Sequence, residues 1–198
     1  KKDKITPMNI RMFYLCNHFR FSKYLWYKLK NLPTSFMPLM TPNITSEDIH
    51  SVTEVLKSGM LVQGRQVNNL EENIAGFLNV QHAMAVSNGT ATMHLALLAL
   101  QIGKGDEVIV PAFSHISTAN VVELVGAKPV FVDIDSDTFN IDVSKIENAI
   151  TAKTKAIIPV HEFGLACDIE TIMALAKKHN LFVIEDAACA LGAKQNGK

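Results

Sequence analysis

Two short stretches of this chain carry side chains that suit a single ligand. An apolar run at 181–184 ends in Glu185-Asp186-Ala187-Ala188, and much earlier a run at 83–86 ends in Ser87-Asn88-Gly89-Thr90-Ala91 ahead of an apolar helix. An Asp where a strand ends can keep a pyridine nitrogen protonated, and a Gly-Thr turn at a helix start offers amide hydrogens and a hydroxyl to a phosphate. Together they suggest a site for pyridoxal 5'-phosphate. Each piece also has a plainer reading: Gly89 is a turn with Asn88 or Thr90 capping the helix, and Asp186 caps the next helix or faces a Lys.

These residues need a scaffold, and the sequence reads as a repeating β-α unit. Short apolar runs predict strands near 83–86, 107–110, 129–132, 155–159 and 181–185, with helices near 90–101, 117–125, 142–150 and 169–179 between them. Runs such as Val108-Ile109-Val110 and Ala156-Ile157-Ile158 are apolar throughout rather than alternating, as expected of a parallel sheet covered by helices on both faces. Upstream, Ser46 is the expected N-cap of a helix carrying Ile49, Val52, Val55 and Leu56 and ending at Gly59. Val67, Leu70, Ile74, Phe77 and Leu78 write a second amphipathic helix. Gly103-Lys104-Gly105-Asp106 marks a tight return from helix to strand.

In an open α/β sheet a ligand sits beyond the carboxyl ends of the strands. The residues expected there are Ser87-Asn88-Gly89-Thr90, then Phe113-Ser114-His115, then Asp133 and Asp135, then His161, then Asp186. His115 can stack its ring on a cofactor or be an ordinary hydrogen-bonded loop residue. Cys189 points to the same rim if a helical turn follows Asp186, as a contact for the ring's phenolic oxygen or as packing. His161, with Glu162 beside it, reads first as a structural histidine.

Composition narrows the function classes. The net charge of zero hides a basic amino end, eight Lys/Arg against Asp3 within 1–36, and an acidic remainder of eleven against eighteen. An acidic body argues against nucleic acid as a partner. Three widely separated cysteines, Cys16, Cys167 and Cys189, form no zinc-ligand spacing and fit a reducing cytoplasmic location. The longest apolar stretch, near 95–100, is too short for a membrane span. No GxGxxG follows the first strand, which disfavours a dinucleotide-binding Rossmann domain. The stretch 1–36 is basic and aromatic and reads as an extension, either a surface-seeking amphipathic segment or sequence ahead of a start at Met37, with 37–198 as the folded part.

From 38 to 198 the chain resembles the DegT/DnrJ/EryC1/StrS family of nucleotide-sugar aminotransferases. The resemblance rests on an ordered set: Leu56-Lys57-Ser58-Gly59 with Gly64, Ser87-Asn88-Gly89-Thr90-Ala91, Gly105-Asp106-Glu107-Val108-Ile109, Pro111-Ala112-Phe113-Ser114-His115, Gly126-Ala127-Lys128-Pro129-Val130-Phe131-Val132-Asp133, Pro159-Val160-His161 and Glu185-Asp186-Ala187-Ala188. It implies an α/β fold, a mostly parallel sheet flanked by helices, as the amino-terminal part of the large domain of a fold type I PLP-dependent transferase. It implies that Gly89 and Thr90 bind the cofactor phosphate, that His115 holds the stacking position and that Asp186 pairs with the ring nitrogen. Cys189 stands where many members carry Gln or His near the ring oxygen.

Such enzymes are homodimers that move an amino group, usually from glutamate, onto a nucleotide-linked keto-sugar in amino-sugar and surface-polysaccharide synthesis. The family's Schiff-base lysine is expected beyond Lys198. Lys194 and Lys198 flank Asn196-Gly197, a type I′ turn signal, and do not substitute for it. On this reading the chain is inactive by itself. Two alternatives are a PLP-dependent sugar dehydratase of the same fold, with His in place of that lysine, and a non-catalytic fragment or partner subunit.

Overall fold

The computed structural model describes residues 42–197; the basic stretch 1–36, residues 37–41 and Lys198 lie outside them. The chain divides into two units, 1–61 and 62–198. In the first, helix α1 spans Ser46–Ser58. Its N-cap is Thr45 rather than Ser46. The Thr45 hydroxyl accepts the Asp48 amide at 3.2 Å, and Asp48 Oδ2 accepts the Thr45 amide at 2.7 Å. This capping box forms because the acidic partner stands three residues after Thr45, a spacing Ser46 lacks. Gly59 ends the helix at φ 70°, as expected of a left-handed cap.

The second unit begins with α2, Arg65–Leu78, and α3, Gly89–Ala99. It continues through β1 (Glu107–Pro111), α4 (Ser117–Leu124), β2 (Lys128–Val132), α5 (Val143–Ala149), β3 (Thr154–Ile157), α6 (Ile169–His179) and β4 (Phe182–Val183). The sheet is parallel, in the order β2-β1-β3-β4. Central β1 is buried along its whole length, which explains its unbroken apolar run. Alternate residues divide between two cores. Val108, Val110, Ala156 and Ile158 pack with Met93 and Leu97 of α3 and Val121 and Val122 of α4. Ile109 and Ile157 pack with Ile146 of α5 and Ile172 and Ala176 of α6 on the other face.

The run 83–86 is not a strand. The Ala85 amide donates to Glu71 Oε1 of α2 at 2.8 Å, so its hydrogen bond goes to a helix side chain and not to a sheet edge. The described sheet therefore has four strands. At the opposite edge β4 is short, yet the ladder runs on: Ile184 N–H donates to Ile157 O, Asp186 N–H to Pro159 O and His161 N–H to Asp186 O. The return 103–106 closes with the Asp106 amide on Gly103 O at 3.0 Å, and Gly105 takes φ 97°, which calls for glycine. Asn196 and Gly197 both adopt left-handed φ, as a type I′ turn requires, and Lys194 is exposed beside them. No helix among the described residues is long and apolar enough to cross a membrane.

Candidate functional site

The tight return into β1 fixes where the Gly-Thr turn stands. Because α3 joins β1 through residues 100–106, the last four of which form the tight return, and its Met93 and Leu97 share a core with Val108 and Val110, it turns back along that strand. Eleven helical residues rise about 16 Å and five strand residues about 17 Å, so a helix that turns back along β1 begins toward that strand's carboxyl end. Gly89 and Thr90 thus reach the rim from a helix, without the preceding strand that the sequence suggests.

Asn88, not Thr90, caps α3. Its Oδ1 accepts the Ala91 amide at 2.8 Å and its carbonyl accepts the Thr92 hydroxyl at 3.1 Å. The cap leaves the Gly89 and Thr90 amides and the Thr90 hydroxyl at the positive end of the helix. A Cβ built on Gly89 would meet nothing within 4 Å, and its φ is not left-handed. Neither backbone strain nor internal crowding asks for glycine here. What a bare Cα does provide is close approach of an outside group to the amides, the donor set a phosphate needs.

Asp186 lies at the end of the β4 ladder, half-buried, bridged to Val160. Its Oδ1 accepts the Ala188 amide at 3.1 Å, and no Lys or Arg pairs with it among the described residues. Of the two sequence readings, an internal Lys partner is therefore not found, and a local turn contact is. A half-buried carboxylate with one amide donor retains capacity for a cation.

His115 is exposed in the loop between β1 and α4. Its Nδ1 accepts the Ser117 amide at 3.2 Å and stands 2.7 Å from the Ser117 hydroxyl. The pair of contacts fixes the ring's edge and leaves its face free. Cys189 is exposed within a turn closed by the Ala190 amide on Ala187 O at 2.9 Å.

His161 is buried and structural. Its Nδ1 accepts the Cys167 amide at 3.1 Å and its Nε2 faces Glu185 Oε2 at 3.2 Å; the carboxylate partner is Glu185 of the neighbouring strand, not adjacent Glu162. Cys167 donates its thiol to Val160 O at 3.0 Å, and burial pushes that thiol up to about 12. The acids after β2 build the turn: Asp135 Oδ1 accepts the amides of Asp137 and Thr138, and Asp133 pairs with Lys145 at 3.1 Å. The Ile134 amide on Asp133, ahead of Lys145, and the Thr138 amide on Asp135 are the leading causes that hold both carboxyls below the usual carboxylate range.

Two rim features are not evident in the sequence. Phe113, Phe139 and Phe163, from the loops after β1, β2 and β3, form an exposed triad with ring centroids 5.6, 6.3 and 6.1 Å apart. Phe139 and Phe163 take φ values of 62° and 53°, strained for an aromatic residue. Glu162 keeps one carboxyl oxygen, Oε1, buried without a hydrogen-bond partner among the described residues. No periodicity or spacing signals either one.

A parallel sheet with helices on both faces, together with the likeness to solved aminotransferases, makes this a protein of the PLP-dependent transferase fold type I. The DegT/DnrJ/EryC1/StrS aminotransferase family profile matches residues 42–198, and the chain belongs to that family. It is 47% identical over 166 residues to the UDP-4-amino-4-deoxy-L-arabinose–oxoglutarate aminotransferase of Shewanella sediminis, covering 84% of this chain and 43% of that protein. The aminotransferase structure from Psychrobacter cryohalolentis matches with a TM-score of 0.75 and 42% identity over 79% of this chain and 40% of its own. A GDP-4-keto-6-deoxymannose-3-dehydratase structure matches with a TM-score of 0.76 and 31% identity over 81% of this chain and 43% of its own. The chain thus spans less than half the length of these relatives.

Proposed function

We propose that this chain supplies the phosphate and ring-nitrogen side of a pyridoxal 5'-phosphate site in an enzyme that transfers an amino group from glutamate to a nucleotide-linked keto-sugar, for amino-sugar or surface-polysaccharide synthesis. The observation that supports the reading most is the half-buried Asp186 carboxylate at the end of the β4 ladder, which pairs with no Lys or Arg among the described residues; the cap of α3, which leaves the Gly89 and Thr90 amides free for an anion, agrees with it. Gly89 and Thr90 hold the phosphate through amides and a hydroxyl. Asp186 accepts the proton-bearing ring nitrogen and keeps it charged. His115 offers its ring face, and Cys189 stands on the ring-oxygen side. The bound cofactor supplies an electron sink for the carbanion of amino-group transfer. The complete enzyme works in the cytoplasm as a homodimer.

Titration of the chain with pyridoxamine 5'-phosphate, which needs no covalent tether, tests the site. Saturable binding that Asp186→Ala weakens by about tenfold to a hundredfold, the value of a hydrogen bond between charged groups, is the expected result. Equal binding by both proteins overturns it. A dehydratase of the same fold is the second reading, favoured by the likeness to the dehydratase structure. The complete protein separates the two: an aminotransferase converts glutamate to 2-oxoglutarate in step with amino-sugar formation, whereas a dehydratase removes a sugar hydroxyl without leaving nitrogen on the product.

A further inference from the structure

Glu162 opens a 3-10 turn, Glu162–Gly164, held from two sides. Its amide donates to Asn140 Oδ1 at 3.0 Å, and buried Asn140 ties its own Nδ2 to Leu165 O at 3.0 Å. On the other side Gly164, at φ 87°, approaches the Cys189 carbonyl so closely that a Cβ would lie 3.3 Å from it. Between them Phe163 takes φ 53° and ψ 24°, at a cost of about 1–3 kcal/mol. The loops after β2 and β4 therefore clamp this turn in a strained shape. In that shape Glu162 Oε1 is buried and makes no hydrogen bond of good geometry, although the Ser114 hydroxyl, 3.0 Å from Thr118 Oγ1, lies near enough to favour the ionised carboxyl. An unsatisfied buried polar oxygen adds a cost of about 1–3 kcal/mol. Folding gains nothing from a carboxyl here.

We infer that Glu162 is a cofactor-contacting residue, whose carboxyl closes the ring end of the site beside Asp186 and donates a hydrogen bond to the oxygen substituent of a pyridoxal-type ring. The inference rests on the function proposed above. Asp186 and Glu162 follow neighbouring strands whose ends are joined by the His161 amide on Asp186 O at 3.0 Å. Burial pushes the Glu162 carboxyl above its ordinary range, opposed by the Ser114 hydroxyl and aided to a smaller extent by the charge of Asp186, so it keeps its proton to higher pH than an exposed Glu. A protonated carboxyl donates where Asp186 accepts, a division of roles suited to a ring with a protonated nitrogen at one position and an anionic oxygen at another.

The neighbouring groups are consistent with this. From the β1 loop comes the uncharged Ser114 hydroxyl, and from the β2 loop the Asn140 amide. From the end of β4 come Asp186 and the Glu185 carboxylate, the latter engaged with His161. Behind the turn the Cys167 thiol stays neutral. Cys189, against which the turn packs, offers only a weak S–H donor, so the carboxyl is the stronger donor on that side.

Calorimetric titration of this chain with pyridoxamine 5'-phosphate across a pH series, with circular-dichroism melts as a folding control, tests the assignment. Wild-type affinity is expected to fall as pH rises through the Glu162 titration. Glu162→Gln, an isosteric donor that does not titrate, is expected to bind like wild type at the acid end and to lose that fall; the ligand's own titrations cancel in the difference profile. Glu162→Leu is expected to bind about tenfold more weakly at the acid end. If both variants follow wild type in affinity and pH profile, Glu162 does not touch the cofactor. If wild type shows no saturable binding, or Asp186→Ala binds equally well, the proposed site falls and this inference with it.

Discussion

His161 Nε2 and Glu185 Oε2 stand 3.2 Å apart and join the ends of β3 and β4 behind the rim that carries Asp186. The His161 side chain is 7% exposed and that of Glu185 47%. His161 also accepts the buried Cys167 amide, so its removal orphans that donor as well as unpairing Glu185. His161→Ala is expected to cost about 2–4 kcal/mol in urea unfolding, against less than about 1 kcal/mol for Glu185→Ala, whose loss water can compensate.

Gly89 tests the phosphate assignment without disturbing the fold. Its Cβ position is open and its backbone helical, so Gly89→Ala is expected to leave stability unchanged or raise it by up to about 1 kcal/mol. The added methyl obstructs approach to the amides, and affinity for pyridoxamine 5'-phosphate is expected to fall about tenfold. Loss of stability with unchanged affinity would make this glycine a folding requirement instead.

Glu162 gives the stability profile a definite sign. Burial raises its folded pKa above the ordinary value of 4.5, so across that window the folded chain binds more protons than the unfolded one. Its contribution therefore declines as pH rises from 4.5 through the raised value. Glu162→Gln is expected to raise the Tm at neutral pH and to flatten this decline. Melts at matched ionic strength, acid to neutral, provide the measurement.

The cysteines should separate by reactivity. Cys167 is buried, hydrogen-bonded to Val160 and pushed up to about 12, whereas Cys189 is exposed on the rim. Brief alkylation of the native chain followed by peptide mass mapping is expected to label Cys189 and spare Cys167. Prior saturation with pyridoxamine 5'-phosphate is expected to slow labelling of Cys189, as the place proposed for it on the ring-oxygen side requires.

Much of this architecture was legible in local patterning. Helix α6 occupies Ile169–His179 as the period at 169–179 indicates, and β1 follows the unbroken run beginning at 107. Gly59 and Gly105 end or turn their elements because each takes a φ that disfavours other residues. Where a sequence signal depended on a partner, it was less secure. Residues 83–86 have strand character, but Glu71 reaches the Ala85 amide first. Ser46 has cap chemistry, but Thr45 has the acid at the right distance.

The same boundary runs through the site. Residue order alone put His115 after β1 and Asp186 after β4, because a parallel sheet collects its strand ends on one edge, whereas the strand expected ahead of Gly89 and Thr90 does not form. Tertiary structure alone paired His161 with Glu185, gathered Phe113, Phe139 and Phe163, and buried Glu162 Oε1 unpartnered. The physical reason is range. Backbone periodicity and turn chemistry act over a few neighbours and are written in the chain. Burial and pairing depend on residues twenty or more positions apart, brought together only when β1, β3 and β4 lie side by side.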